Sequence, residues 1–252
     1  MAKKKRRRRP ASAQPAASPR PAPTTEARRD RKEAKRQDRE RAAKAEVRRG
    51  ALRRGLIGGL VGLLVFFAIS WFNRAPAAKP LSGAAIDAAA TAGCAGPIQP
   101  DPDPQRLHLA PGEAHTYTGH PATSGVHDPT PLPDTPRVYT AAEIGTYRET
   151  AAVHSLEHGS VIMYYRPSGE PDGLPRGVVD QLAPIATGSH ATYLIPYADL
   201  PTGTALAYTA WNQLLTCPAD ITADQAVTIA QGFVDSFACT RNAPEGKNGP
   251  GC

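Results

Sequence analysis

An uninterrupted apolar segment near the N-terminus most constrains what this chain can fold into. The eighteen residues from Gly55 to Phe72 contain no charged side chain. A bilayer core requires roughly 20 predominantly apolar residues, with a range of about 17–25. The segment is therefore long enough to cross a membrane, and we predict a transmembrane helix over residues 55–73.

A buried core helix and a cleaved signal peptide are the alternatives to a retained anchor. A core helix would not normally follow a long cationic leader, and 54 residues precede this segment. A signal peptide has a short basic leader and a shorter apolar stretch. Ala75-Pro76-Ala77 does resemble its small-residue cleavage site. The long leader and the eighteen apolar residues nevertheless favour a retained anchor.

The charge of the chain changes sign at this segment. The net charge is +7 over 252 residues, but residues 1–54 hold 21 Lys and Arg against 6 Asp and Glu, whereas residues 55–252 hold 9 against 17. Basic flanks stay on the cytoplasmic side of a membrane. We therefore predict a single-pass protein of the cell membrane, with residues 1–54 as a basic cytoplasmic arm and the C-terminal part outside.

The arm has no apolar face from which to build a core. Its Pro- and Ala-rich beginning predicts disorder, and its interleaved charges predict a frayed helix. The cations from Lys3 to Arg9 are typical of nucleic-acid patches and also of tails that contact anionic lipid. Because a span follows, we favour the anionic inner leaflet over nucleic acid as the partner of the arm.

Two features bear on protein partners. Gly55 with Gly59, and Gly58 with Gly62, have the small-xxx-small spacing of helix dimers in membranes. A homodimer through the span is therefore a hypothesis. A second hypothesis is a scaffold whose cytoplasmic arm binds a protein partner, which the sequence does not identify.

The C-terminal part has the patterns of a folded domain over residues 105–252, preceded by a stalk at 74–104 that is rich in Ala, Pro and Gly. Val161 to Tyr165 is a continuous apolar run that predicts a central strand. Ala191 to Tyr197 and Thr204 to Trp211 predict two further strands. Since the residues between them are typical of a turn, we predict that these two strands form a hairpin.

Helical spacing appears in two segments of this domain. Leu174 to Ala186 predicts the first helix. Thr222 to Phe237 predicts the second, and Thr222 with Gln225 forms a capping box at its start. Together with the strands, these segments predict an α+β fold with a small mixed sheet and two helices, preceded by a single transmembrane helix.

Four cysteines lie on the predicted outer side, where an even number indicates two disulfides. Cys217 and Cys239 flank the last predicted helix, which is about 24 Å long, whereas bridged Cα atoms lie within about 7 Å. Pairing between these two is therefore disfavoured. Cys94–Cys217 with Cys239–Cys252, and Cys94–Cys239 with Cys217–Cys252, both remain open. In either case Cys94 attaches the stalk to the domain.

Two histidines and a glutamate form the group with the most evident chemistry. In a helix, His154 and His158 would lie on one face with Glu157 beside them. The segment from His120 to His127 contains Pro and Gly and predicts a loop, which can bring His127, or less directly His120, to the pair. Three imidazoles suit zinc or copper. The near absence of soft sulfur ligands favours zinc or copper(II) over copper(I).

The same residues have two other interpretations. His-x-x-Glu-His is the inverted zincin pattern, so a metal-dependent hydrolase with Glu157 as the general base is an alternative. Gly159 follows the motif at once and would end its helix there, which disfavours a peptidase. A polar cluster without metal, in which Glu157 holds a ring nitrogen, is the other interpretation. We expect His108 and His190 to be surface residues without a chemical role.

The histidine segments resemble those of the domain of unknown function 3105 family, found mainly in actinobacterial membrane-anchored proteins. Its pattern is a Pro-Pro-x-Ser-Gly-x-His loop, then a His-Ser-Leu-Glu-His-Gly segment that runs into an apolar strand. Residues 120–127 resemble the loop with one additional residue and with His120 in place of the first proline, and Val153 to Gly159 match the segment. Thr209-Ala210-Trp211 resembles a later part. The resemblance covers roughly residues 105–240 and implies an extracytoplasmic domain without a catalytic assignment.

The functional prediction is a membrane-anchored binding or structural module rather than an enzyme. Its candidate metal ligands are His127, His154 and His158, with zinc or copper as the cofactor. Glu157 is expected as a ligand or as an outer hydrogen-bond partner, and as the catalytic residue in the hydrolase alternative.

Overall fold

A computed structural model of the chain describes residues 25–72, 75–101, 105–189, 191–247 and 252. The chain forms two compact units that divide after Trp71. The first unit contains α1 (Thr25–Phe72), which joins the charged part of the arm to the predicted span in one helix. The start of the arm, which we predicted to be disordered, lies outside the described residues.

Helix α1 is long and apolar enough to cross a membrane, judged by length and composition. An 18-residue window within it has a mean hydropathy of 1.8. Every large apolar side chain from Leu56 to Trp71 has half or more of its surface exposed. Such a surface is unfavourable in water and is the one that lipid would cover.

The second unit has the predicted α+β class. Its elements are α2 (Gly83–Thr91), β1 (Ala95–Ile98), a short 3-10 helix (Ala141–Glu143), α3 (Glu149–Glu157), β2 (Val161–Tyr165), α4 (Arg176–Gly188), β3 (Thr192–Pro196), β4 (Leu206–Ala210), β5 (Gln213–Cys217) and α5 (Ala223–Phe237). Helices α4 and α5 are the two that periodicity predicted. The second unit also contains the helices α2 and α3.

The five strands form one mixed sheet in the order β1-β5-β4-β2-β3. The predicted hairpin between β3 and β4 is wrong, because β2 lies between them, parallel to β3 and antiparallel to β4. All five residues of β2 are buried, and a strand without a polar face belongs inside a sheet. Helix α4 provides the crossover that parallel strands require. The hairpin of the sheet joins β4 to β5 through Trp211 and Asn212.

Alternate residues of β2 contribute to two separate cores. Val161 and Met163 pack with residues of α2, α4 and α5 on one face. Ile162 and Tyr164 pack on the other face with Leu156 of α3. This division follows the two-residue period of a strand, and it places α3, which carries the histidine pair, apart from the other helices.

Part of the predicted stalk belongs to the folded unit. Leu81, Ala85 and Ala89 are buried in the core that includes α5. A Cβ atom added to Gly232 of α5 would lie 2.5 Å from the Cβ of Ala85, so the two helices pack at close range. The small residues that suggested a linker are here the residues that allow this contact.

The disulfides are Cys94–Cys217 and Cys239–Cys252, which is one of the two pairings that the sequence left open. The first joins the end of α2 to β5, across 123 residues of sequence. The second closes a segment of 13 residues at the C-terminus. Cys94 therefore attaches the former stalk to the sheet, as predicted for either pairing.

Candidate metal centre

Helix α3 places His154, Glu157 and His158 at the same end of one short element. Its inner face is buried through Ala152, Val153 and Leu156, so packing against the sheet fixes its rotation. The helix ends at Glu157, and His158 is its C-cap. Gly159 then adopts a φ of 90°, a conformation that glycine reaches without steric cost, and the chain turns into β2.

The ring of His154 lies at the centre of a histidine cluster. The rings of His108 and His158 stack on it nearly parallel, with centroids at 5.0 and 4.7 Å. The ring of His127 meets it edge-on at 5.0 Å. Burial, together with the histidine neighbours, lowers the pKa of His154 to about 4. His154 is therefore neutral near pH 7.

A backbone carbonyl determines which nitrogen of His154 is free. Its Nδ1 lies 2.5 Å from the Asp128 carbonyl oxygen, which can only accept, so Nδ1 carries the proton and Nε2 has the lone pair. The Asp128 side chain accepts a hydrogen bond from Thr150 at 2.6 Å and pairs with Arg148 at 3.1 Å. Both partners lie at the start of α3. These two contacts hold the loop that contains Asp128 against the start of α3, where its carbonyl oxygen reaches His154.

His127 presents a lone pair to a carboxylate. It is fully buried, and its Nδ1 donates to the Gly125 carbonyl oxygen at 2.7 Å, which leaves Nε2 unprotonated in the neutral ring. This Nε2 lies 3.0 Å from Oε2 of Glu157, yet it has no hydrogen-bond partner among the described residues. Two acceptors at this distance repel each other unless a proton or a cation lies between them.

In His158, as in His127, one ring nitrogen lies near an outer acceptor and the other is buried without a hydrogen-bond partner among the described residues. Nε2 of His158 lies 3.8 Å from Oε2 of Glu245. Its Nδ1 is buried and finds no hydrogen-bond partner within the described part of the chain. Glu245 comes from the C-terminal segment after α5, and its backbone N–H donates to the carbonyl oxygen of Glu157 at 3.0 Å.

The possible ligand atoms form two overlapping groups, each with its atoms within 4.8 Å of one another. One group is His108, His127 and His154, and the other is His154, Glu157 and His158. Three ligands were predicted. His154 belongs to both groups, whereas His127 belongs only to the first and His158 only to the second. The 3.0 Å approach of Glu157 to His127 connects the groups.

His108 is the cluster member that we did not predict. It is exposed, as expected, but its ring stacks on His154 because a parallel bridge pairs its backbone with that of His127. No local pattern encodes this pairing. His120 lies outside both groups, with its Nδ1 2.8 Å from the Tyr197 hydroxyl and 3.2 Å from Glu149. His190 lies outside the described residues.

The donor set fits a borderline divalent metal. It consists of imidazole nitrogens and one carboxylate, which suit zinc or copper(II). Two ligand atoms bound at about 2.1 Å to one ion are roughly 3–3.5 Å apart. The distance of 3.0 Å between His127 Nε2 and Glu157 Oε2 falls in this range. A cation bound there would turn the repulsion between these atoms into two favourable contacts.

Acidification of the metal-free protein should lower its stability through His154. The pKa of this ring is about 4 in the folded protein, against an ordinary value of 6.5, so the unfolded chain takes up the proton first as the pH falls. The contribution is fully present above pH 6.5 and is lost progressively toward pH 4. Thermal unfolding of the chelator-treated protein at pH 7 and pH 4.5 measures the loss.

His154→Gln should show a smaller loss of stability over the same pH interval. The groups that face His154 are His108, His127, His158 and Glu157, and they are present in both proteins. An equal loss in the variant would assign the effect to them instead.

Comparison with known proteins gives one family and no individual relative. The family described as protein of unknown function (DUF3105) matches residues 108–250. This range is more than half of the chain and includes every residue of the histidine cluster and Glu245. No curated protein and no solved structure matches the chain.

Proposed function

We propose that this chain, which belongs to the DUF3105 family, is a metal-binding protein that holds zinc or copper(II) in the histidine cluster. The observation that carries the proposal is a pair of buried ring nitrogens, His127 Nε2 and His158 Nδ1, without hydrogen-bond partners among the described residues. Leaving a buried polar atom unpaired costs about 1–3 kcal/mol. A bound cation would remove that cost at the nitrogen that it contacts.

The outer contacts of the rings support the same conclusion. Metal-binding histidines almost always donate their second N–H to a carbonyl or carboxylate, which orients the ring. Here Nδ1 of His154 and Nδ1 of His127 donate to backbone carbonyls, and Nε2 of His158 faces Glu245. Each ring therefore has one nitrogen with an outer partner and one available for an ion.

The competing interpretations explain these contacts less well. A polar cluster without metal accounts for the 3.0 Å approach of Glu157 to His127, but it leaves Nδ1 of His158 buried without a hydrogen-bond partner among the described residues. A hydrolase with Glu157 as the general base requires that this carboxylate reach a water molecule, whereas Glu157 is 4% exposed. His108 is the most exposed residue of the cluster, so an ion could enter there.

We place the metal centre outside the cytoplasm, in a unit tethered to the membrane by α1. The basic arm before the apolar segment favours a cytoplasmic N-terminus, and two disulfides are typical of oxidising compartments. The cations of the arm would then contact the anionic inner leaflet. The function proposed for the outer unit is to bind or carry a metal ion at the outer face of the membrane.

The proposal is tested by titrating the full chain, purified in detergent without a polyhistidine tag and freed of metal by a chelator. We expect zinc or copper(II) to bind at about one ion per chain, as in other closed sites of this donor type. His115→Ala is the matched control, because its ring packs against Tyr117 and belongs to neither ligand group. Failure of both metals to bind would reject the proposal.

A further inference from the structure

The C-terminal segment packs directly on the end of the histidine motif. After α5, the backbone N–H of Cys239 donates to the Gly159 carbonyl oxygen at 2.9 Å. Six residues later, the N–H of Glu245 donates to the Glu157 carbonyl oxygen at 3.0 Å. Sγ of Cys252 lies 3.7 Å from the His158 carbonyl oxygen. The segment thus contacts each residue from Glu157 to Gly159.

The contact is made at backbone distance. A Cβ atom added to Gly159 would lie 2.9 Å from both Cα and O of Gly246 and 3.2 Å from Cα of Cys239. Gly159 is therefore required for the approach, whereas a Cβ atom added to Gly246 would lie 1.9 Å from the Thr240 carbonyl oxygen. The Cys239–Cys252 disulfide joins the two ends of the segment, so Glu245 lies within a closed loop beside the motif.

These contacts place the acidic side chain of Glu245 beside the histidine cluster. Its side chain is 45% exposed, whereas that of His158 is 17% exposed. The carboxylate lies on the Nε2 side of the ring, at 3.8 Å, and the buried Nδ1 lies on the other side without a hydrogen-bond partner in the described part of the chain. An acidic group beside Nε2 favours the tautomer that carries its proton there. The lone pair is then on Nδ1, which faces into the protein.

We infer that Glu245 is a positioning residue for His158 and that the Cys239–Cys252 disulfide keeps it in place, so that reduction of this disulfide loosens the bound metal. The inference rests on the proposed function. In the reduction, two electrons and two protons from a dithiol convert the bridge into two thiols, and the dithiol becomes a disulfide. The released end of the chain then no longer holds the Glu245 carboxylate at the ring.

The two new thiols allow the opposite outcome. Cysteine sulfur is a strong ligand for zinc and copper, and Cys252 already lies beside His158. If reduction recruited these sulfurs to the metal, binding would become tighter. The direction of the change therefore distinguishes loss of positioning from the formation of a new ligand set.

The first arm of the test changes Glu245 in the full chain in detergent. Glu245→Ala should weaken zinc binding by about 10–100-fold, the usual effect of removing an outer partner of a metal ligand. Glu245→Gln should retain most of the affinity, because its amide oxygen is also an acceptor beside the ring. Glu170→Ala, at an exposed carboxylate outside the cluster, should bind like the wild type. Copper(II) electron paramagnetic resonance should show one nitrogen ligand fewer in Glu245→Ala.

The second arm changes the disulfide. A phosphine reductant is used, because dithiols chelate zinc themselves. It should weaken zinc binding by the wild type, and the double variant Cys239→Ser with Cys252→Ser should bind weakly without it. If the reductant still changes the zinc affinity of this double variant, the change comes from reduction of the Cys94–Cys217 disulfide. Circular dichroism shows whether the double variant has folded. If it has not, the change in zinc affinity on reduction of the wild type is the result that tests the inference.

Three results would overturn the inference. They are equal affinities for Glu245→Ala and Glu170→Ala, an unchanged wild-type affinity after complete reduction of Cys239–Cys252, and tighter binding after that reduction. In each case wild-type metal binding would leave the proposed function intact. A wild type that binds neither zinc nor copper(II) would reject both.

Discussion

Replacing His154 by alanine is expected to abolish tight metal binding. His154 belongs to both ligand groups, so its removal leaves no described group with three ligands. Its neutral ring directs Nε2 into the cluster because Nδ1 donates to the Asp128 carbonyl oxygen. Removing outer partners alone typically costs 10–100-fold in affinity, so loss of this ligand should cost more than about 100-fold. Metal content after dialysis, and titration with zinc and copper(II), measure the effect.

Stability measurements give a second readout for the same variant. Metal that binds only the folded state should raise the wild-type free energy of unfolding, by about 2.7 kcal/mol at 100 times the dissociation constant. In His154→Ala the increase should disappear. His120→Ala is the matched control, since His120 bonds to Tyr197 and Glu149 outside the cluster. An unchanged metal content in His154→Ala would contradict the assignment of this ring as the shared ligand.

Replacing Cys94 and Cys217 together by serine is expected to destabilise the second unit by about 3–5 kcal/mol. The bridge joins residues 123 apart, and a cross-link over a loop of this size restricts the unfolded chain strongly. It also joins the end of α2 to β5, beside the β1–β5 pair. Urea unfolding followed by circular dichroism measures the change.

The C-terminal disulfide provides the comparison. Its partners are only 13 residues apart, for which the same argument gives about 3 kcal/mol. Cys239→Ser with Cys252→Ser should therefore destabilise the protein less, and it should weaken metal binding more. A larger stability loss for the C-terminal pair would show that residues 75–94 contribute little to the fold.

Local patterns predicted the elements that form from neighbouring residues. The strand β2 has the predicted bounds of Val161 and Tyr165. The capping box of Thr222 and Gln225 begins α5 in the structure. The apolar run lies in a helix that can cross a membrane. These features depend on contacts over a few residues, where side-chain spacing and backbone preference are sufficient.

Composition was a poor guide where small residues pack closely. Alanine, proline and glycine between residues 74 and 104 suggested a stalk, because such sequences are also typical of linkers. In the structure Ala85 packs against Gly232, which is far away in the sequence. The turn-like residues between β3 and β4 suggested a hairpin. Those residues do not show that β2, which comes earlier in the chain, lies between the two strands in the sheet.

The sequence alone determined a long apolar helix after a basic arm, an α+β domain with two disulfides, and a histidine pair with a glutamate on one helix. Only the tertiary structure decided that His108 joins His127 and His154, that Asp128 and Gly125 orient two of the rings, and that Glu245 faces His158. These partners are brought together by backbone pairing and by packing on α3. Such contacts form between distant segments once the sheet is assembled, so no spacing along the chain records them.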